Sequence, residues 1–374
     1  MIKVRELFRE AWRNTDRGVT RPLLAALLFM VMIGGFSIAQ ILGIVQIGKD
    51  AQEWRTVGAS TQIVNYPQGI DGARCDALLS VTGVVAAGAV RKGENVTLAA
   101  LPSNTFQTFE ATPGFASLLG SISVSGTIFS DEVPGVWLSD DLADALGVAP
   151  GHPRPLPIIS SDGTASADLT VSAVYPYPGD GRLPILVHNM ILPVPAVGVF
   201  DACWVEIWPE SATLDGLLTT ATIITGQNAG GDPPRVEQLN TSFGAVFDAP
   251  GRLERLPGWM FNGAALLTGM VIGWVLVWSR RLELASTLHA GVNKTSLILQ
   301  LLIETVLWVA PSTALITAGG YYVATLDNPE PPWPALAPGL IVCSLGLVAT
   351  LISTIIIGLS LNENRFFKFF KGRR

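Results

Sequence analysis

Of the 374 residues, 49% are hydrophobic and only 14% charged, with a mean hydropathy of +0.43. That excludes an ordinary soluble domain, in which about 25% of residues are charged. The formal charge of -6 conceals a division: residues 49–255 carry a net -12, whereas segments 1–21, 280–294 and 363–374 together carry +9.

Residues 1–20 place Val4, Leu7, Phe8, Ala11 and Trp12 at helical spacing opposite Lys3, Arg5, Arg9 and Arg13, the pattern of an amphipathic helix lying in a membrane interface. Residues 22–48 contain no charge before Lys49 and are long enough to cross a bilayer core, which takes roughly 20 apolar residues. They exceed the apolar region of a signal peptide and are predicted to remain as an uncleaved first transmembrane helix.

Residues 49–255 are long enough to hold their own core. Short apolar runs at 79–90, 133–138, 169–174 and 204–208 read as strands, and Ser139 through Gly147 as a helix with Ser139 at its N-cap, acids in its first turn and Gly147 at its stop. A second helix is expected over 209–222 behind Pro209. The Pro- and Gly-rich stretches 175–181 and 229–234 read as exposed loops. Strands alternating with helices give an α+β domain of two subdomains. Cys75 and Cys203 both fall here, where an oxidising compartment permits a disulfide; two separately buried thiols are the alternative.

Three further apolar stretches come next in the chain: 256–279, 295–325 and 336–361, the last two joined by a loop at 326–335. The fold class is therefore a membrane α-helical protein of four transmembrane helices, with an α+β extracytoplasmic domain inserted between helices 1 and 2. The basic segments all fall on one side of this topology, which the positive-inside rule makes cytoplasmic, so both termini are expected in the cytoplasm. The tail 362–374 interleaves Phe with Lys and Arg and reads as an interfacial anchor on membrane lipid. Cys343 lies within the fourth span as a small packing residue.

Between the second and third spans sits RRLELASTLHAGVNK, residues 280–294. Its end resembles a phosphate loop, yet Asn293 rather than Gly precedes Lys294, and no Gly stands at the required upstream position. The chain is not expected to be an enzyme: it lacks a Walker motif and a Gly-x-Ser-x-Gly elbow, and His152, His188 and His289 are too scattered for a metal site. Glu304 lies within the third span, where an isolated carboxylate costs on the order of 3 kcal/mol. It calls for an inter-helix hydrogen bond, a position nearer the cytoplasmic side, or a substrate or proton role.

One span, a large outside domain and three further spans with a charged hinge resemble the MacB/FtsX-type permeases of ABC transporters, the type VII or mechanotransmission family. The hinge carries the likeness through Arg280, Arg281, Glu283, Leu284, Ala285, Gly291, Lys294 and Glu304; Leu288 and His289 depart from the family pattern. Residues 135–148 are similar to a strand and helix of the MacB-like core domain. The resemblance implies a homodimer bound to two copies of a separate cytoplasmic ATPase, in a bacterial cytoplasmic membrane, with no nucleic-acid partner. ATP and Mg2+ would bind in that partner, and this chain would hold no cofactor or metal. Residues 280–294 would form a coupling helix, with Arg280, Arg281, Glu283, His289, Gly291 and Lys294 at the interface and Leu284 and Leu288 filling a groove of the partner. The implied function is export or extraction of an amphipathic or hydrophobic peptide, drug or haem-like compound. The alternative is an FtsX-like regulator of an extracytoplasmic cell-wall hydrolase that transports nothing.

Overall fold

The computed structural model describes residues 22–98, 101–122, 135–148, 155–159, 165–209, 218 and 233–361. The amphipathic segment 1–20, the tail 362–374, most of the helix expected over 209–222, the loop 229–232 and His152 lie outside the described residues. The chain divides into two compact units, residues 1–50 with 248–374 and residues 51–247.

In the first unit, α1 (Pro22–Thr56) is a single 35-residue helix that continues past the apolar segment, and its last turns belong to the second unit. A short α5 (Ala249–Arg255) leads into α6 (Gly258–Ser279); Asp248 caps α5 by accepting from Gly251 N at 2.8 Å. Then come α7 (Arg281–His289), α8 (Lys294–Thr325) and α9 (Pro332–Ser360). Among the described residues, four helical stretches are long and apolar enough to cross a membrane. The last begins four residues before the expected 336, because Pro332 fits the first turn of a helix, where its missing N–H leaves no bond unmade.

Helices α6 and α9 meet through small residues. A Cβ added at Gly269 would lie 2.4 Å from Gly346 O, so the backbones touch there, and Ser353 Oγ donates to Met270 O at 2.7 Å. Ala25, Phe29, Ile33, Ala265, Ile272, Trp308 and Val342 fill the space among α1, α6, α8 and α9.

The second unit is built on an eight-stranded sheet in the order β11-β1-β10-β2-β5-β9-β6-β8, with β7, β3 and β4 continuing from β8. These strands are β1 (Thr61–Asp71), β2 (Val84–Lys92), β3 (Val96–Leu98), β4 (Leu101–Phe106), β5 (Thr108–Ala111), β6 (Val136–Ser139), β7 (Pro155–Ile159), β8 (Ala165–Tyr175), β9 (Met190–Pro193), β10 (Val199–Ile207) and β11 (Arg235–Gln238). Parallel pairs β5–β9 and β6–β8 mix with antiparallel neighbours, as an α+β domain allows. The strand alternation gives the sheet two apolar faces. On one, Ile63, Val90 and Trp204 lie with Phe115 and Leu118 of α3 (Gly114–Ser121); on the other, Val64, Ala87, Phe200 and Val205 lie with Cys75 of α2 (Gly72–Ala77).

Cys75 and Cys203 form a disulfide, Cα to Cα 5.9 Å across 128 residues of sequence. Closing so long a loop stabilises by roughly 4 to 5 kcal/mol in the chain-entropy view.

Several local expectations need correction. Residues 78–80 form a 3-10 turn, so β2 starts at Val84 rather than 79. Helix α4 (Asp140–Leu146) begins directly after Ser139 and stops at Gly147, but the Ser139 hydroxyl is buried and makes no capping bond; Asp141 N donates instead to Asp140 Oδ1 at 3.0 Å. The stretch 175–181 is not an exposed loop throughout. Tyr175 and Tyr177 are buried, and their hydroxyls donate to Leu186 O (3.0 Å) and Leu183 O (2.5 Å), so phenol rings fill the core while their polar tips find backbone carbonyls. Burial raises both phenol pKa values well above their ordinary 10.

Candidate functional site

The hinge between α6 and α8 is assembled from local rules. Helix α6 ends at Arg280, which leaves the helical backbone region with φ -102° and ψ 10°. Helix α7 then runs for nine residues until Gly291, whose φ of +90° lies in the left-handed region that favours glycine. Asn293 opens α8 by accepting a hydrogen bond from Thr295 N at 3.3 Å, as an N-cap residue does.

What fixes α7 is its inward face. Leu284 and Leu288 are buried with Val277, Leu297, Leu301 and Leu361, and Ala285 is buried beside them. Their expected place in a partner's groove is therefore corrected: at spacing i and i+4 they form one helical stripe, and it packs on this chain's own α6, α8 and the end of α9.

Arg280 is corrected in the same way. Its side chain is only 10% exposed and its guanidinium is held within the chain by two carboxylates. Nη1 donates to Glu304 Oε2 at 2.6 Å, while Nε and Nη2 donate to Glu283 Oε2 and Oε1 at 3.1 and 2.9 Å, a two-pronged carboxylate contact. Gln300 Nε2 donates to the other Glu304 oxygen at 3.2 Å. The acid in the third span is thus joined across helices to the residue that ends the second. A guanidinium keeps its charge and matches carboxylates geometrically, which suits it to such a site better than lysine.

The outward face carries the remaining hinge residues. Glu283, Ser286, His289, Gly291 and Asn293 are exposed, with Arg281, Leu282 and Lys294 half-buried. Arg281 lies over the Trp278 ring at 4.7 Å. Glu283 also anchors its own helix, its backbone oxygen accepting from Ser286 Oγ (2.7 Å) and Thr287 Oγ1 (3.0 Å).

Of the hinge residues singled out from sequence, Arg281, Glu283, His289, Gly291 and Lys294 share the accessible surface, whereas Arg280, Leu284 and Leu288 form its support. Sequence reading missed Gln300 and Ser286. Gln300 stands four residues before Glu304, one helical turn away, and that spacing was available as a signal. Among the described residues no cluster of His, Cys, Asp or Glu suits a metal ion. His188 sits exposed with Nδ1 3.9 Å from Asp141.

No protein-family model and no curated protein matches this chain. Among solved structures, the periplasmic region of MacB from Actinobacillus actinomycetemcomitans is similar at 11% identity, with 51% of this chain and 94% of that one covered and a TM-score of 0.35. A domain of a candidate permease protein from Porphyromonas gingivalis is similar at 14% identity, with 48% and 90% covered and a TM-score of 0.31. Each likeness covers about half of this chain, and neither assigns an activity to it.

Proposed function

We propose that this chain is a membrane permease subunit of an ABC-type complex, moved by ATP that a separate cytoplasmic subunit binds and hydrolyses. The observation that carries the reading is α7. It is a short helix between two membrane-length helices, held from behind by Leu284, Leu288 and Arg280, and it presents Glu283, Ser286 and His289 outward. A rigid helix with a polar outer face and a buttressed back passes on a push from a soluble partner, where an unsupported loop would absorb it. Charged groups at such a rim give orientation and partner choice more than raw affinity.

In this reading two copies of the chain and two ATPase subunits assemble, with ATP and Mg2+ in the partner. The basic hinge and termini face the cytoplasm of a bacterial cell, and the second unit lies outside, where it handles an amphipathic or hydrophobic cargo. The test is affinity purification from native membranes. The expected result is a co-purifying subunit with a Walker-A sequence, and ATPase activity that Ser286→Trp lowers at least about tenfold, as loss of a central contact of roughly 1.4 kcal/mol or more would. Ser286 is exposed and its hydroxyl bonds only one turn back, to Glu283 O of its own helix, so thermal stability should stay nearly unchanged. Purification without any nucleotide-binding subunit would overturn the reading.

A further inference from the structure

The second unit contains a cleft of about 450 Å3 that the hinge does not explain. It arises from strand register. Asn65 of β1, Ala202 of β10, Val90 of β2 and Ala111 of β5 lie side by side across the sheet, a row in which three residues are small or short. The flanking rows carry large side chains: Trp204 opposite Ile63 on one side, and Lys92 opposite Phe109 on the other. A trough therefore opens between Trp204 and the Lys92–Phe109 pair, on the face whose buried part is the Trp204–Phe115 core. Its floor is apolar, since Val90, Phe109, Ala202 and Trp204 are all buried side chains.

The polar groups around that floor are unequal. Arg91 is committed: Nε donates to Glu110 Oε2 at 2.6 Å, Nη1 to Val199 O at 3.1 Å, and the guanidinium lies 4.8 Å from the Phe200 ring. Asp201 is committed too, accepting from Gln68 N (3.0 Å) and Lys92 N (2.9 Å). Asn65 donates to Glu237. Gln107 gives both amide hydrogens to Gly93 O and Thr108 O, and Asn189 donates to Ile185 O. Left over, among the described residues, are the Lys92 ammonium, with no carboxylate partner, and the side-chain carbonyl oxygens of Asn65, Gln107 and Asn189, which accept nothing.

A cleft in the 300–1,000 Å3 range, with an apolar floor and a few convergent polar groups, has the character of a small-ligand site. We infer that it binds an anionic amphiphile: an apolar chain lying along Val90 and Ala202 against Trp204, a carboxylate at Lys92, and an adjacent amide N–H donating to Gln107 or Asn189. An N-acyl amino acid and the C-terminus of an apolar peptide share this chemistry. The unit's overall acidity does not decide the matter, because Lys92 is the cleft's one charged side chain without a partner among the described residues, and solvent screens charges farther away. The assignment deepens the transport reading and rests on it for the fate of the bound ligand; binding itself needs no nucleotide.

The test uses the full chain in phosphatidylcholine nanodiscs without ATPase subunit or nucleotide. The probes are a diazirine-bearing N-dodecanoylglycine, a photoreactive apolar hexapeptide with a free carboxylate, and dodecylamine bearing the same diazirine, with labelled peptides mapped by mass spectrometry. We expect saturable labelling of β2, β5 and β10 by one or both carboxylate probes, the stronger one identifying the source, and none there by the amine. Lys92→Glu should weaken that labelling at least about tenfold and Lys92→Arg should preserve it, as loss and retention of a charge-assisted bond would. Lys92 is exposed and its ammonium has no carboxylate partner, so neither variant threatens folding. Labelling confined to the transmembrane helices, or indifferent to Lys92→Glu, would overturn the site. Saturable cleft labelling in a chain that purifies without an ATPase would leave the site standing and remove the transport reading.

Discussion

Two buried arginines show how differently the two units use the same side chain. In the second unit, Arg182 is 1% exposed and pairs through Nε and Nη2 with Asp180; it also donates to Ile122 O (3.1 Å) and Thr56 O (3.2 Å) and lies 5.1 Å from the Tyr177 ring. One cation meets one carboxylate there, and two further hydrogen bonds tie it to two backbone carbonyls. At the hinge, Arg280 meets two carboxylates and no carbonyl, and one of these acids, Glu283, is 47% exposed. Arg182 is a staple between one carboxylate and two backbone carbonyls. Arg280 is a joint in which an incoming basic group could share Glu283.

The largest expected effect breaks the staple. Arg182→Met takes the guanidinium from the Asp180 carboxylate and from the buried Ile122 and part-buried Thr56 carbonyls, which should cost about 3 to 5 kcal/mol and lower the second unit's Tm by on the order of 10 °C in a thermal-shift measurement. Arg280→Met should cost about 3 kcal/mol by taking the guanidinium away from the buried Glu304 carboxylate. Here the two sites part. Adding Glu304→Leu should restore most of the Arg280→Met loss, since an apolar pair replaces an ion pair at little net cost. No single second substitution should rescue Arg182→Met, because backbone carbonyls cannot be substituted.

Glu283→Gln is a milder probe of the joint. It keeps one hydrogen-bond acceptor for Arg280, so stability should fall by only about 1 kcal/mol, while partner ATPase activity should fall several-fold. An equal loss in both would make Glu283 purely structural.

How much of this was legible beforehand depends on distance along the chain. The four apolar helices announce themselves by length, and the Arg280–Glu283 contact by its i, i+3 spacing. The Arg280–Glu304 bond does not, because the chain reverses at Gly291 between them and only folding brings them together. Leu284 and Leu288 form an apolar stripe readable as such, but whether a stripe meets its own chain or a partner is decided by the neighbouring helices. The trough between Trp204 and Lys92 was hidden more deeply. It depends on the register of β1, β10, β2 and β5, which lie far apart in the sequence.

The smallest expected effect concerns an exposed ion pair, Lys49 Nζ to Asp327 Oδ2 at 2.6 Å. The hydrogen bond and charge of Lys49 lower the Asp327 carboxyl below its ordinary 3.8. Its folded-state value being the lower, the pair's contribution is present above the unfolded carboxyl's titration and is lost as pH falls through the folded value. Asp327→Asn should therefore leave neutral-pH Tm in physiological salt unchanged, and differ from the parent only by a slightly shallower loss of Tm below about pH 4.

The central claim, that the outer face of α7 receives a separate ATPase while its inner face is committed to this chain, is tested most directly by a photo-crosslinker placed in turn along the helix in native membranes. The account predicts adducts with a nucleotide-binding subunit from Ser286 and His289 and none from Leu284 or Leu288. Adducts from none of the four positions, or from the leucines alone, would contradict it.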